Sequence, residues 1–127
     1  METIHPTDIG CYTPGFLPPP SAGDFLICMG SSAGTAGGFA KTTNKKVISY
    51  IGDSTFFHSG IPGLINAVFN NHDMTLIILD NSITAMTGHQ PNPGVDMQAL
   101  NFEGPGQVSA ESGPGHRRSA CVGHPAL

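Results

Sequence analysis

The residues best suited to chemistry lie in two short polar clusters, Gly52-Asp53-Ser54 and Asp80-Asn81-Ser82. Each follows an apolar run: Val47, Ile48, Tyr50 and Ile51 before the first, Met74 to Leu79 before the second. Between the runs, Ile61, Leu64, Ile65, Val68 and Phe69 fall at i, i+3, i+4, i+7 and i+8, one face of an α-helix. The passage from 47 to 83 therefore predicts a β-α-β unit. Strands joined by a helical crossover run parallel, so both clusters arrive at the carboxyl edge of the sheet, where open α/β folds bind ligands. Asp53 and Asn81 then offer two oxygen donors at one site. Mg²⁺ takes about six oxygens in a near-octahedral shell and usually shares them between protein, phosphate and water. The Asp53 carboxylate, the Asn81 amide oxygen and the backbone carbonyl of Ile83 would supply three and leave room for a diphosphate. The amino end of the helix after Asp53 favours an anion at the same edge. A plainer reading stands beside this one: Gly-Asp-Ser and Asp-Asn-Ser form turns at strand ends in many proteins.

The elements that must hold these residues can be drawn from the same pattern. The two uncharged strands suit a parallel sheet covered on both faces. The helix between them is expected to start with Ser59 or Gly60 as its cap, with Pro62 in its first turn, and to end at Asn70-Asn71. Residues 29–43, MGSSAGTAGGFAKTT, predict a second helix from Ser31 or Ser32 whose small side chains allow close packing. Each glycine there weakens the helix by roughly 1 kcal/mol relative to alanine, so tertiary packing must sustain it. The alternative, a phosphate-cradling loop, lacks the GK[ST] ending of a P-loop. Gly30 and Ser31, at this helix's amino end, are candidates to approach a bound anion. Residues 13–23, TPGFLPPPSAG, form a proline-rich connection in which no helix can cross Pro18-Pro19-Pro20.

Composition removes several classes of function. The chain has 127 residues, a net charge of −4 and no basic stripe, so nucleic acid is not an expected partner. No apolar run approaches the roughly 20 residues that span a bilayer, and no basic-then-apolar leader opens the sequence. A cytoplasmic protein without a membrane partner is the expectation. Cys11, Cys28 and Cys121 are widely spaced and form no CxxC pair. An iron–sulfur or zinc site built from this segment alone is therefore not expected, nor is a disulfide framework.

The words around the two clusters are more specific than the clusters. GDSTFFHSGIPGLINAV and ILDNSITAMTGHQPNPG, preceded in order by DIGCYTPG and ICMGSSAGTAGGFAK, resemble the thiamine diphosphate-binding domain of the indolepyruvate ferredoxin oxidoreductases, alpha subunit, over about residues 7–107. Within them, Gly52-Asp53-Ser54 followed by Asn81 is similar to the thiamine diphosphate motif, which opens Gly-Asp-Gly or Gly-Asp-Ser and closes on Asn. The resemblance implies an α/β thiamine diphosphate-binding fold, a parallel sheet flanked by helices and incomplete here. It implies that Asp53, Asn81 and the Ile83 carbonyl hold Mg²⁺. Gly52, Ser54 and Thr55 would line the diphosphate, and Ser82, Thr84, Ala85 and Met86 would continue the cofactor loop. The wider family, the 2-oxoacid:ferredoxin oxidoreductases, decarboxylates a 2-oxoacid, passes electrons through iron–sulfur clusters to ferredoxin and forms an acyl-coenzyme A. An aryl pyruvate substrate, coenzyme A, ferredoxin and a beta subunit are the implied partners. The 4Fe–4S clusters and the glutamate that activates the aminopyrimidine belong to domains not found in these residues, so the chain alone is not expected to turn over. The other class of reading is a truncated, inactive α/β module without catalysis.

Two histidines are candidate catalytic groups. His58, near the expected helix start, is placed to touch diphosphate or substrate, or else to sit in solvent. His89, in the loop after Asn81, is placed on the substrate side. The chain divides into residues 1–108, a partial thiamine diphosphate domain, and 109–127, SAESGPGHRRSACVGHPAL with Ser109 at its head, which shows no helical or strand period. The abrupt loss of pattern after GPGQV suggests either a shifted reading frame near Val108 or a natural irregular tail.

Overall fold

The structure, a computed structural model, describes residues 2–95 and 119–122, the last four as backbone. Four strands make one sheet in the order β1 (Thr3–Ile4), β2 (Lys46–Gly52), β3 (Met74–Leu79) and β4 (Ser119–Val122). β1, β2 and β3 are parallel to one another, and β4 runs antiparallel along β3. A parallel bridge from Pro6 to Phe25 continues the pairing beyond β1. β4 falls in the segment expected to be irregular, and it is the one described part of the tail; the rest of 109–127 lies outside the described residues. Its four residues are too few to impose a period that a sequence can show.

The parallel arrangement of β2 and β3 places Gly52 opposite Leu79, so Asp53 and Asp80 leave the sheet side by side. On β2, Val47, Ser49 and Ile51 are buried, and on β3, Met74, Leu76 and Ile78 are buried. That face meets Ala33 and Ala36 of α1 (Ser31–Thr42) and Ala67 of α3 (Ile61–Phe69) in the main core. The opposite face, with Ile48, Tyr50, Ile77 and Leu79, is half-buried rather than covered as an all-parallel sheet would require.

The crossover helix differs from expectation in two ways. First, it starts earlier. Gly52 is extended, and helical backbone runs on from α2 (Asp53–Thr55) through a wide π turn at Phe56–Gly60 into α3. Ser59 does not cap the helix; its hydroxyl donates to the Thr55 carbonyl at 3.2 Å. Pro62 accounts for the widened turn. It has no N–H to give, and its ring would crowd the carbonyl four residues back in a regular helix. Second, α3 is rotated from that expectation: Gly63, Leu64 and Ala67 meet the core, and the far part of the large-residue stripe does not. Gly63 approaches Ala33 so closely that a Cβ at Gly63 would lie 3.0 Å from the Ala33 Cβ. Ala67 is buried, whereas Ile65, Val68 and Phe69 face outward, Phe69 being 83% exposed. Small residues, not large ones, bring α1 and α3 together.

Candidate functional site

At the carboxyl ends of β2 and β3 the chain encloses a cleft of about 710 Å³. Asp53 enters it because β2 stops at Gly52 and the helical run begins at once. Asn81 enters it from the first turn after β3. The pairing of those strands thus brings both expected oxygen donors to one wall. Among the described residues no group of three His, Cys, Asp or Glu side chains gathers as a metal cluster. A cation in this cleft must therefore draw on amide and carbonyl oxygens as well as carboxylate, the mixture that hard cations accept.

The cleft wall holds most of the expected residues. Gly52, Ser54 and Thr55 flank Asp53 in it, and Ser82, Ile83, Thr84, Ala85 and Met86 follow Asn81. The turn that presents Asn81 is built by its neighbours. Asp80 Oδ1 accepts the Ser82 backbone N–H at 2.7 Å and the Ser82 hydroxyl at 3.1 Å. Ser82 is held there at φ 57°, a left-handed conformation that this short side-chain bonding sustains. Asn81 Oδ1 accepts the Ile83 N–H at 3.2 Å and keeps a second lone pair. The Ser54 and Thr84 hydroxyls meet at 2.7 Å, tying the two clusters together across the cleft.

Asp53 is only 6% exposed. Asn92 Nδ2 donates to its Oδ2 at 2.8 Å. Burial raises the Asp53 pKa above the ordinary carboxylate range, and the nearby Asp80 carboxylate adds to the rise. The Asn92 amide and the Ser54 backbone N–H act against it. A buried carboxylate beside a second carboxylate is an arrangement that a cation would relieve.

Three expected site residues lie elsewhere. Gly30 is not in the cleft wall: its N–H donates to both oxygens of Asp8, at 2.8 and 2.9 Å, and a Cβ on it would collide with Ser59 Oγ. Its φ of 87° and that collision explain why glycine stands there. His58 is exposed on the π turn, outside the cleft wall. His89 is exposed at φ 61° in the turn after Gly88, also outside it. Neither histidine is brought to Asp53 or Asn81, because the π turn and the 84–90 excursion carry them outward.

Three residues that the sequence reading did not select are prominent. Asn92 is one. Asp8, with no exposure, is another: it accepts the N–H groups of Ile9, Gly30 and Ser32 and so caps α1. Its carboxylate already occupies the amino end of that helix, which leaves no place there for a phosphate. The third is Tyr12, which lines the cleft. Its buried hydroxyl has no hydrogen-bond partner among the described residues. Burial, and then the Asp8 charge, push its pKa far above the usual phenol range, with the Gly52 backbone acting against them, so the phenol stays neutral. The Asp53–Asn81 pair suits a polar, anionic ligand held through a cation.

The family described as thiamine pyrophosphate enzyme, C-terminal TPP binding domain, matches residues 8–111. The chain belongs to this family. It is 58% identical over 104 residues to indolepyruvate oxidoreductase subunit IorA of Methanothermobacter marburgensis, a match covering 82% of this chain and 17% of that protein. It is 55% identical over 99 residues to the IorA subunit of Archaeoglobus fulgidus, covering 78% of this chain and 16% of that one. The chain thus spans less than a fifth of the length of these relatives. In fold it is similar to a 2-oxoglutarate:ferredoxin oxidoreductase from Magnetococcus marinus, bound to 2-oxoglutarate, coenzyme A and succinyl-CoA. That likeness has a TM-score of 0.67 at 23% identity and covers 83% of this chain and 38% of that one. The thiamine diphosphate-binding α/β fold expected from the motif words is therefore the fold of this chain, present in part.

Proposed function

We propose that this chain is the thiamine diphosphate- and Mg²⁺-binding module of an oxidoreductase that converts aryl pyruvates, indolepyruvate among them, to acyl-coenzyme A with ferredoxin as electron acceptor. The observation that carries the proposal is the meeting of Asp53 and Asn81 in one cleft at the ends of neighbouring parallel strands. The names of the relatives support the substrate, and the ligands of the structural neighbour support a 2-oxoacid and coenzyme A as partners. Ferredoxin, the beta subunit and the 4Fe–4S clusters belong to the assembly in which this module would work. No described helix is long and apolar enough to cross a membrane, which is compatible with a cytoplasmic assembly.

Asp53, Asn81 and the Ile83 carbonyl would hold the cation, and Gly52, Ser54 and Thr55 would border the diphosphate. Thiamine diphosphate supplies the carbanion chemistry at the keto carbon when bound. The protein's contribution is placement. The Asp80 turn sets Asn81, and the Ser54–Thr84 hydroxyl pair closes the wall. Titration of thiamine diphosphate with and without Mg²⁺, read by the melting temperature of the chain, tests the proposal. Binding at about 100 times the dissociation constant stabilises the folded state by about 2.7 kcal/mol, and Asp53→Ala should remove the Mg²⁺-dependent part. No shift with the native chain, or an undiminished shift with the variant, would leave an inactive α/β module as the reading.

A further inference from the structure

The carboxylate at the heart of the cleft is gripped from a distance along the chain. Asn92 lies 39 residues after Asp53, is 6% exposed, and donates to Asp53 Oδ2 at 2.8 Å inside the protein. Its orientation is not free. Asn92 Oδ1 accepts the Gly94 backbone N–H at 2.9 Å, so its NH₂ group must face Asp53. Asn92 also lies two residues beyond a closed strap. Thr84 and Gln90 close residues 84–90 through paired backbone hydrogen bonds at 2.8 and 3.2 Å. Gln90 further accepts the Thr87 hydroxyl at 2.6 Å and donates to the Thr87 carbonyl at 2.8 Å. The first residue of the strap holds Ser54, and the segment just beyond its last holds Asp53.

We propose that Asn92 is a positioning residue that fixes the Asp53 carboxylate for the cation and locks the 84–90 strap, with Ala85 and Met86, onto the cleft wall. This inference rests on the cation-binding reading above. One oxygen of Asp53 is committed to a rigid buried amide, so the rotamer of the carboxylate is set before any cation arrives. Partners of this kind, one step behind a metal ligand, change metal affinity about 10–100-fold when removed. The effect should depend on the ion. Mg²⁺ demands a near-ideal octahedron, whereas Ca²⁺ accepts irregular shells of 6–8 oxygens. Loosening Asp53 therefore penalises Mg²⁺ more than Ca²⁺.

The test compares the native chain with Asn92→Ala and Asn92→Asp, titrating Mg²⁺ and then Ca²⁺ at saturating thiamine diphosphate by calorimetry. The Asp variant keeps the acceptor for Gly94 but turns an oxygen toward Asp53. Asn92→Ala should raise the Mg²⁺ dissociation constant about 10–100-fold and that for Ca²⁺ by less, whereas the carboxylate added by Asn92→Asp attracts the cation and should weaken Mg²⁺ binding less than alanine does. A residue with only a structural role would weaken both ions equally or neither, and either result overturns the proposal. A second arm needs no ligand: amide hydrogen exchange at residues 84–90 should quicken in Asn92→Ala, and unchanged protection there also overturns it. If the native chain shows no Mg²⁺-dependent binding, the cofactor reading fails, and the exchange arm alone decides the role of Asn92.

Discussion

Asp53 shows what a buried carboxylate costs. Its pKa is raised in the folded chain, by burial first and by Asp80 in addition. Between the unfolded value, about 3.9 for an aspartate, and the higher folded value, the folded state binds the proton more tightly. Stability therefore falls as pH rises through that window and stays lower above it. The ligand-free Asp53→Asn chain should lose this pH-dependent fall and melt higher than the native chain at neutral pH, while giving up its Mg²⁺ response. Thermal melts across a pH series, with and without Mg²⁺, check both halves; a lower neutral melting point for the variant would contradict the sign. The arrival of Asp53 and Asn81 at one sheet edge was legible in the sequence because apolar strands end just before both, and strand ends are fixed by pattern. Asn92, Asp8 and Tyr12 were not, because their contacts join positions far apart with no periodic relation. Gly30 was read as an anion contact for the same reason: nothing local reveals that Asp8 has taken its N–H.

At the scale of elements, period and composition gave different amounts of information. The third strand runs Met74–Leu79 and the small-residue helix Ser31–Thr42, as the pattern predicts. The orientation of α3 was not legible. Gly60, Gly63, Leu64 and Ala67 share one face, and Leu64 also belongs to the stripe of Ile61, Ile65 and Val68, so the sequence offers two overlapping faces, and size alone favours the one centred away from α1. Close approach to α1 decides it, since backbones separated by glycine and alanine gain contact along their whole length. Gly63→Leu should cost about 1–3 kcal/mol through overpacking against Ala33, and Phe69→Ser should change stability by no more than about 0.5 kcal/mol. Urea denaturation of the two variants separates them; the reverse ranking would show that the outward stripe is the true core face.

For the molecule as a whole, the cleft is assembled from segments that only the fold unites: the 8–12 loop, the end of β2, and the turn and strap after β3. Asp8 is the joint between the first of these and α1, reaching N–H groups 22 and 24 residues away. Its replacement by alanine removes a helix cap and strands two amides, at a cost of about 2–4 kcal/mol. It should also free Cys11 and Tyr12, which sit on the loop it anchors and line the cleft. Denaturant titration of Asp8→Ala measures the first effect, and faster alkylation of Cys11 the second. The overall α/β class was legible because parallel strands around a crossover helix leave a strong pattern. The antiparallel β4 was not, being four residues long in a stretch without period.

The rotation of α3 has a consequence for how the chain can vary. Along this helix of the chain, Gly63 and Ala67 should tolerate substitution least, and Ile65, Val68 and Phe69 more than their bulk suggests, with Leu64 the large residue that stays constrained. A survey that ranks importance by hydrophobicity would therefore overrate three positions of this helix and miss its two smallest anchors.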